Sequence, residues 1–495
     1  MRRKLSKWRG GVVALVLSIS LILTVASLAF ARFPKPADFI EAKYIEEYNI
    51  PEYFVPDEKD WVRQQDWAAI KEKFAGIVVH HASEGVDIAA PLMFKDIFEE
   101  LSGIKVEITG IPADVFFEKL MMEFLSGTRR YDAVEFYAEW LGTYAEPGFL
   151  YELTDLLKKW KVDVSDFHPV YWKGYSLYNG KPYAFPYDSD CHLLHWRKTV
   201  YDRAGLVGPP KTYEEVLANA KKLTMDTNGD GKMDIYGFGM PAGRGMWSFY
   251  FGQDILGAYG ATLFTPDWKP NFNNPEGKAA MKMFKELVKY SPPGVTGWNY
   301  AMCREAWLAG KMAQVMQWQC VGKQAHLPEM SRIWDEDIRH SVLPKGSGPK
   351  AKIAPALAAG SALGITSDAR NPEAAFLWLA FLNSAETQCI YSAAGTGVEP
   401  SHISSLTSLA FQRANPTVKA WLSSLPYATA IPRIPEVNDL QISLGIAINE
   451  YLTGSMALDN ALKGAEKYWI RLMEKAGYYK PGVKPAPPFV VTNWK

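Results

Sequence analysis

Cysteine is scarce in this 495-residue chain: Cys191, Cys303, Cys320 and Cys389 are all there is. Four cannot staple a chain of this length, and their spacing matches no zinc-ligand pattern. Cys303 and Cys320 lie close enough for a helix, a turn and a strand to bring them together, so they could pair in an oxidising compartment, a point the sequence leaves open. Basic excess is lacking too. Lys and Arg total 54 against 54 Asp and Glu, whereas a nucleic-acid partner calls for a basic patch or excess. The sequence has no helical pair of metal-binding histidines and no Gly-x-Ser-x-Gly nucleophile turn. It has no internal repeat or low-complexity tract. Only residues 12 to 31 form an apolar run of membrane-spanning length.

That run follows "MRRKLSKWRG", which holds five bases and no acid, and it ends in Ala29-Phe30-Ala31. A basic start, an apolar stretch and a small-x-small ending make a secretory signal peptide over 1–31, cut after Ala31. The expected location is the periplasm; an uncleaved anchor facing the periplasm is the alternative. No cysteine lies at the cleavage site to take a lipid. What the chain has in quantity is aromatic residues, 13% of the total with 17 Trp and 25 Tyr. Such residues fill cores, and Trp and Tyr also line clefts that are apolar on one side and polar on the other. The length allows two domains with full cores.

Residues 32–74 are rich in Pro, Tyr, Trp and acids without a period and read as an N-terminal extension. "AGIVVHHASEG" (75–85) then reads as a buried strand running into a polar loop. A helix with Met93, Phe94, Ile97, Phe98 and Leu101 on one face follows, and "IKVEITGI" alternates as a strand. Strand, helix and strand in this order predict a parallel crossover. A helix over 114–126 and the strand "YDAVEF" continue the pattern. Thr212 with Glu215 opens "YEEVLANAKKL" as a capping box, and Asn371-Pro372-Glu373 opens "EAAFLWLAFLN". "LQISLGIAINEYLTG" and "ALDNALKGAEKYWIRLMEKAG" read as two amphipathic helices near the end.

"DTNGDGKMD" (226–234) begins like a calcium loop, with oxygen donors at Asp226, Asn228, Asp230 and Asp234 and a glycine at Gly231. The twelfth loop position, where a calcium sensor needs a bidentate Glu, is Gly237. "IYGFGM" follows and reads as a strand rather than a second helix. Two readings stay open: a structural calcium held by those four residues, or a polar turn without an ion. No other cofactor is expected.

Four collinear segments resemble the family 1 extracellular solute-binding proteins of ABC importers, the maltose-binding-protein type. They are "YDAVEFYAEWLGTYAEPGFLYELTD" (131–155), "YNGKPYAFPYDSDCHLLHWRKTVYDRAGL" (178–206), "TYEEVLANAKKLTMDTNGDGKMDIYGFGM" (212–240) and "PRIPEVNDL" (432–440) with the last two helices. The extension, the missing lipid-anchor cysteine and the Pro-rich tail depart from the family pattern. The resemblance implies an α/β, two-lobed periplasmic-binding-protein fold of type II, with a ligand cleft between lobes joined by hinge strands. It divides the chain into 75–188 with 359–394 as lobe 1 and 189–358 with 395–495 as lobe 2. It also implies a monomer that binds a carbohydrate, an oligosaccharide or glycoside, and delivers it to the permease subunits of an ABC transporter. The alternatives from other classes are a secreted carbohydrate-active enzyme and an extracytoplasmic sensor. Glycerol-phosphate esters and polyamines are alternative ligands.

Sugar sites need flat aromatic faces and planar polar groups. Placed on the family pattern, the cleft candidates of the first lobe are Glu84 in "HHASEG" and Tyr137, Glu139 and Trp140 after "YDAVEF". A structural role is the expectation for His80 and His81. The crossover "PYDSD" adds Tyr187, Asp188 and Asp190, acids that are costly to bury without partners. Lobe 2 offers Arg244 and Trp247 in "AGRGMW", where flanking glycines permit close backbone approach, and Gln317, Trp318 and Gln319 in "VMQWQC". Ser361 in "AAGSALG" and Arg433 in "PRIP" complete the set.

Overall fold

The computed structural model describes residues 60–354, 357–429 and 431–487. The expected signal peptide and the 32–59 part of the extension lie outside them. Along the chain the elements that matter here are α1 (Trp67–Phe74), β1 (Val78–Glu84), α2 (Ala89–Ser102), β2 (Lys105–Ile111), α3 (Phe116–Ser126), β3 (Ala133–Tyr137), β4 (Ala184–Pro186) and β5 (His192–Arg197). They continue with α4 (Tyr213–Leu223), α5 (Met246–Tyr259), α6 (Tyr300–Leu308), β6 (Gln314–Trp318), β7 (Ile338–Ser341), β8 (Ser361–Ile365), α7 (Pro372–Leu382), α8 (Val437–Thr453) and α9 (Leu458–Ala476).

Two sheets hold these elements. The first has the order β2-β1-β3-β8-β4, with β1 parallel to β2 and β3, and β8 antiparallel to β3 and β4. The second has the order β6-β5-β7, all antiparallel. After α7 the chain passes over once more to α8, which packs on α5, whereas its earlier passages leave the first sheet through 187–191 and return to it through 357–360 as two short crossings. These run close together: a Cβ on Gly360 would lie 2.0 Å from the Asp188 carbonyl oxygen. Only glycine permits that approach.

The helices follow from their punctuation. The Thr212 side chain accepts from the Glu215 N–H at 3.1 Å and opens α4, while Glu215 reaches back to the Lys211 N–H at 2.6 Å. Asn371 caps α7 by accepting from the Ala374 N–H at 3.0 Å. All nine residues from Ala374 to Leu382 in α7 are buried, as expected of a helix apolar all round. In α2 the inward face is Phe94, Phe98 and Leu101, the three- and four-residue spacing of an amphipathic helix. The described end of the extension packs on this lobe: the Trp67 ring meets Phe98 and Phe381 edge-on at 6.2 and 6.0 Å.

One local expectation is corrected, and one open point is answered. "IYGFGM" forms only isolated bridges, Ile235 with Met225 and Tyr236 with Met312. A Cβ on Gly237 would sit 1.9 Å from the Ala220 carbonyl oxygen, and one on Gly239 1.8 Å from Met312 Sδ. The glycines thus serve to lay this segment flush on its neighbours, and glycine weakens a ladder. Cys303 and Cys320 are not bridged; all four cysteines are buried free thiols, and Cys320 Sγ lies 3.4 Å from the Tyr300 hydroxyl.

Candidate functional site

Parallel strands β1 and β3 end on the same edge of the first sheet, where open α/β sheets gather ligands. Glu84 closes β1 and Tyr137 closes β3. Because β8 runs antiparallel, its first residue, Ser361, pairs with Tyr137 and arrives at the same edge. The turn after β1 adds Val86 and Asp87, and the crossing after β4 adds Asp188 and Asp190. From the other side come Trp247 and Tyr250, three residues apart on one face of α5, with Tyr300 at the start of α6 and Trp318 at the end of β6. Together they enclose a cavity of about 60 Å³. A single water needs roughly 10–15 Å³ on this measure, so the space suits one compact molecule.

The cavity is strongly acidic. Ligand oxygens of Glu84, Asp87 and Glu135, all buried, lie within 4.8 Å of one another. The Tyr137 hydroxyl donates to Glu84 at 2.9 Å. Glu135, beneath the cavity, accepts from the Glu84 N–H at 3.0 Å and from the Ser83 hydroxyl. Burial, and next the Glu135 charge, push the Glu84 carboxyl up to about 8. Burial first, then Glu135, Glu84 and Asp188, raise Asp87. Asp188 and Asp190 are likewise raised mainly by burial. Asp188 accepts from the Glu399 N–H at 2.7 Å, whereas Asp190 Oδ1 is buried with no hydrogen-bond partner among the described residues. Among the described residues no Lys, Arg or His lines the cavity. Lys323, also buried, donates to the Ser392 carbonyl at 2.5 Å.

Trp318 forms the aromatic wall. Its ring meets Trp247, Tyr250, Phe251 and Tyr300 edge-on at centroid distances of 6.2, 6.0, 5.4 and 5.5 Å. Its indole N–H donates to the Ala359 carbonyl at 3.1 Å, which ties β6 to the returning crossing. Behind it His192 and Asp254 form a fully buried pair at 2.5 Å.

Of the residues expected at the cleft, the structure brings together Glu84, Tyr137, Asp188, Asp190, Trp247, Trp318 and Ser361. Seven others stand elsewhere. Glu139 is buried and spans the lobes, accepting from the Tyr250 hydroxyl and from Gln441 at 3.0 Å. Trp140 is core, packed against Phe116, Phe117, Tyr137 and Tyr144, because the chain turns helical directly after β3. Tyr187 is fully buried and donates to the Asp87 carbonyl at 3.3 Å. Arg244 points outward, its side chain 59% exposed and paired with Glu450 at 3.0 Å. The tight packing at its glycine neighbour is to α8, where a Cβ on Gly445 would lie 1.8 Å from the Gly245 carbonyl oxygen. Gln317 folds back onto the Trp318 N–H at 3.2 Å. Gln319 clamps the first crossing, accepting from the Cys191 N–H at 2.7 Å and donating to the Ser189 carbonyl at 2.8 Å. Arg433 donates to the Gly174 carbonyl at 2.6 Å, and burial lowers its pKa to about 10.

Sequence reasoning missed Asp87, Tyr250, Tyr300 and the supporting Glu135. Glu135 had a signal: an acid in the middle of the otherwise apolar strand "AVEFY" calls for a reason to be buried. Tyr250 had one as well, at helical spacing from Trp247. Asp87 and Tyr300 stand in irregular or helix-opening positions with no pattern of their own.

At the Asp226 loop the donors serve the turn itself. Asp226 accepts from the N–H groups of Gly231, Gly229 and Asn228 at 2.8, 2.7 and 3.2 Å, and Asp234 from the Thr227 hydroxyl and N–H at 2.6 and 2.8 Å. These hydrogen bonds hold both carboxyls below the usual range. None of the four loop residues lines the cavity.

Residues 83–388 match the family model of the bacterial extracellular solute-binding proteins. A probable amino-acid ABC transporter periplasmic-binding protein of Sinorhizobium fredii is 25% identical over 407 residues, covering 81% of this chain and 90% of that one. A mannitol-binding protein of Pseudomonas aeruginosa is 25% identical over 355 residues, 67% of this chain and 78% of its own. In fold, the chain superposes on an ABC transporter solute-binding protein of Agrobacterium radiobacter, solved with ribitol, at a TM-score of 0.74 and 24% identity, covering 81% of this chain and 99% of that one. With that family match over more than half of its length, and a cavity walled by residues of both larger sheets, the chain belongs to the bacterial extracellular solute-binding protein family.

Proposed function

We propose that this protein is the exported substrate-binding component of an ABC importer, and that it captures one small hydroxylated solute between its lobes for delivery to the permease. The observation that carries this reading is the cavity itself. Both sheets contribute to its wall, so only a molecule in contact with both sides favours the closed form over the open one. Carboxylates at one end and indole and phenol rings at the other suit a molecule with hydroxyls and carbon–hydrogen faces. The size argues for a monosaccharide or an alditol rather than an oligosaccharide in this closed form, and the relationship to a mannitol-binding protein supports that class. In isothermal titration, D-mannitol, ribitol or D-glucose is expected to bind more tightly than maltose. Binding confined to maltose and longer sugars would overturn the size argument.

A structural calcium at Asp226, Asn228, Asp230 and Asp234 is proposed with a smaller role. The ion would replace hydrogen bonds the loop already makes to itself, so its net contribution is modest. Chelation should lower the melting temperature by a few degrees, on the scale of about 2–4 °C per kcal/mol for a domain of this size. Solute affinity should be unchanged. Loss of affinity on chelation with the fold intact would contradict a bracing role.

A further inference from the structure

We propose that the captured solute is a cation, with an ammonium group seated among Glu84, Asp87 and Asp190 and its carbon skeleton against Trp247 and Trp318. This deepens the functional reading above and rests on the same cavity. Four carboxyl groups line the space, Glu135 stands directly beneath it, and among the described residues the lining has no cationic side chain. Neutral hydroxyls leave these buried carboxyl groups in the protonated forms that burial favours, whereas a bound positive charge stabilises their ionised forms and draws the full charge-assisted contact from them. Asp190 is 8% exposed, and its Oδ1 has no hydrogen-bond partner among the described residues, so an acceptor stands ready on the cavity wall. An ammonium group brings three donors that rotate freely, and aromatic walls attract a cation further.

A divalent metal ion fits less well. Calcium takes six to eight oxygen ligands, yet Glu84 already accepts from Tyr137, and one Glu135 oxygen is engaged by Ser83 and the Glu84 N–H. The ring-rich opposite wall supplies little further oxygen. Closure then has a simple logic. Without ligand, water in the open cleft solvates the carboxylates; with an ammonium between them, the lobes can close without burying an uncompensated charge.

The test is a charge-matched titration of the full chain at pH 7.5 with D-glucitol, D-glucamine, putrescine, and D-glucitol with added calcium chloride. D-glucamine differs from D-glucitol by one amino group. It should bind tighter by about tenfold or more, the scale of a charge-assisted contact. That gap should collapse in Asp190→Asn and in Glu84→Gln, two variants that guard against misfolding of either. Equal or tighter binding of D-glucitol would overturn the cation and leave the hydroxylated-solute reading standing. Tight putrescine with neither sugar derivative would support the cation and sink the hydroxylated solute. D-glucitol binding only with calcium would assign the charge to a metal and overturn the ammonium. Silence of all four probes would overturn the ammonium proposal as well.

Discussion

Trp318→Ala is expected to weaken solute binding and to destabilise the unliganded protein together. The indole is only 5% exposed, is surrounded edge-on by four aromatic rings and anchors the Ala359 carbonyl. Truncating a buried Trp costs about 3–5 kcal/mol in lost transfer energy and cavity. The Ala359 carbonyl also loses its donor, and an unsatisfied buried acceptor adds to the cost. Binding should fall by about 1–3 kcal/mol, since the ring forms part of the wall the solute meets. Thermal melts of the unliganded protein and titration with D-mannitol or D-glucamine separate the two effects. A melting temperature equal to wild type would show that Trp318 is a surface stacking face with no part in the core. From "VMQWQC" alone the expectation would be loss of affinity without loss of stability; the packing around the ring makes the effect double.

The sequence carried the fold because its signals were local and repeated. Caps at Thr212 and Asn371, the three- and four-residue spacing of Phe94, Phe98 and Leu101, and the strand-helix-strand order each constrain the same elements. The site was legible where strand ends fix it: Glu84, Tyr137, Ser361 and Trp318 end or begin strands, so knowing the strand places the residue. It was not legible one residue beyond. Trp140 follows Tyr137 by three positions, but the chain coils at once and turns that indole into the core. Arg244 and Gln319 show the same limit. Their chemistry suits a ligand, yet each is claimed by a protein partner, Glu450 in one case and the Cys191–Ser189 crossing in the other. Side-chain chemistry names what a residue can do, and only packing decides which partner it has.

The second large effect expected is a pH dependence that Glu84→Gln flattens. Burial and the Glu135 charge raise Glu84 to about 8, opposed in part by the Tyr137 hydroxyl and reinforced by Asp114. Asp87, Asp188, Asp190 and the Tyr250 hydroxyl also face this region, and none of them is a cation. The folded chain therefore keeps a proton on Glu84 over a pH range in which the unfolded chain, near its ordinary value of 4.5, has lost it. Stability from this group is complete below that ordinary value and is lost as pH rises through about 8. Closure of the lobes follows the same sign, since opening hydrates the same carboxyl. His195 and His326, both lowered to about 4 by burial, act the other way at acid pH, as does their neighbour His340, lowered further still. Above the ordinary histidine pKa of about 6.5 they are neutral in either state. Glu399, raised to about 7 by burial, and Lys323, lowered to about 8 by burial, titrate alike in both proteins, so Glu84 is read from the difference between wild type and variant, from there to just above the Glu84 value. Across that window the unliganded wild type should lose on the order of 1–2 kcal/mol relative to Glu84→Gln, at up to about 1.4 kcal/mol per pH unit for one proton. Glutamine cannot release a proton, so Glu84→Gln should show a shallower slope and a higher melting temperature at the alkaline end. Parallel melting curves for the two proteins would mean that Glu84 is ionised throughout, with its charge already balanced inside the closed cavity.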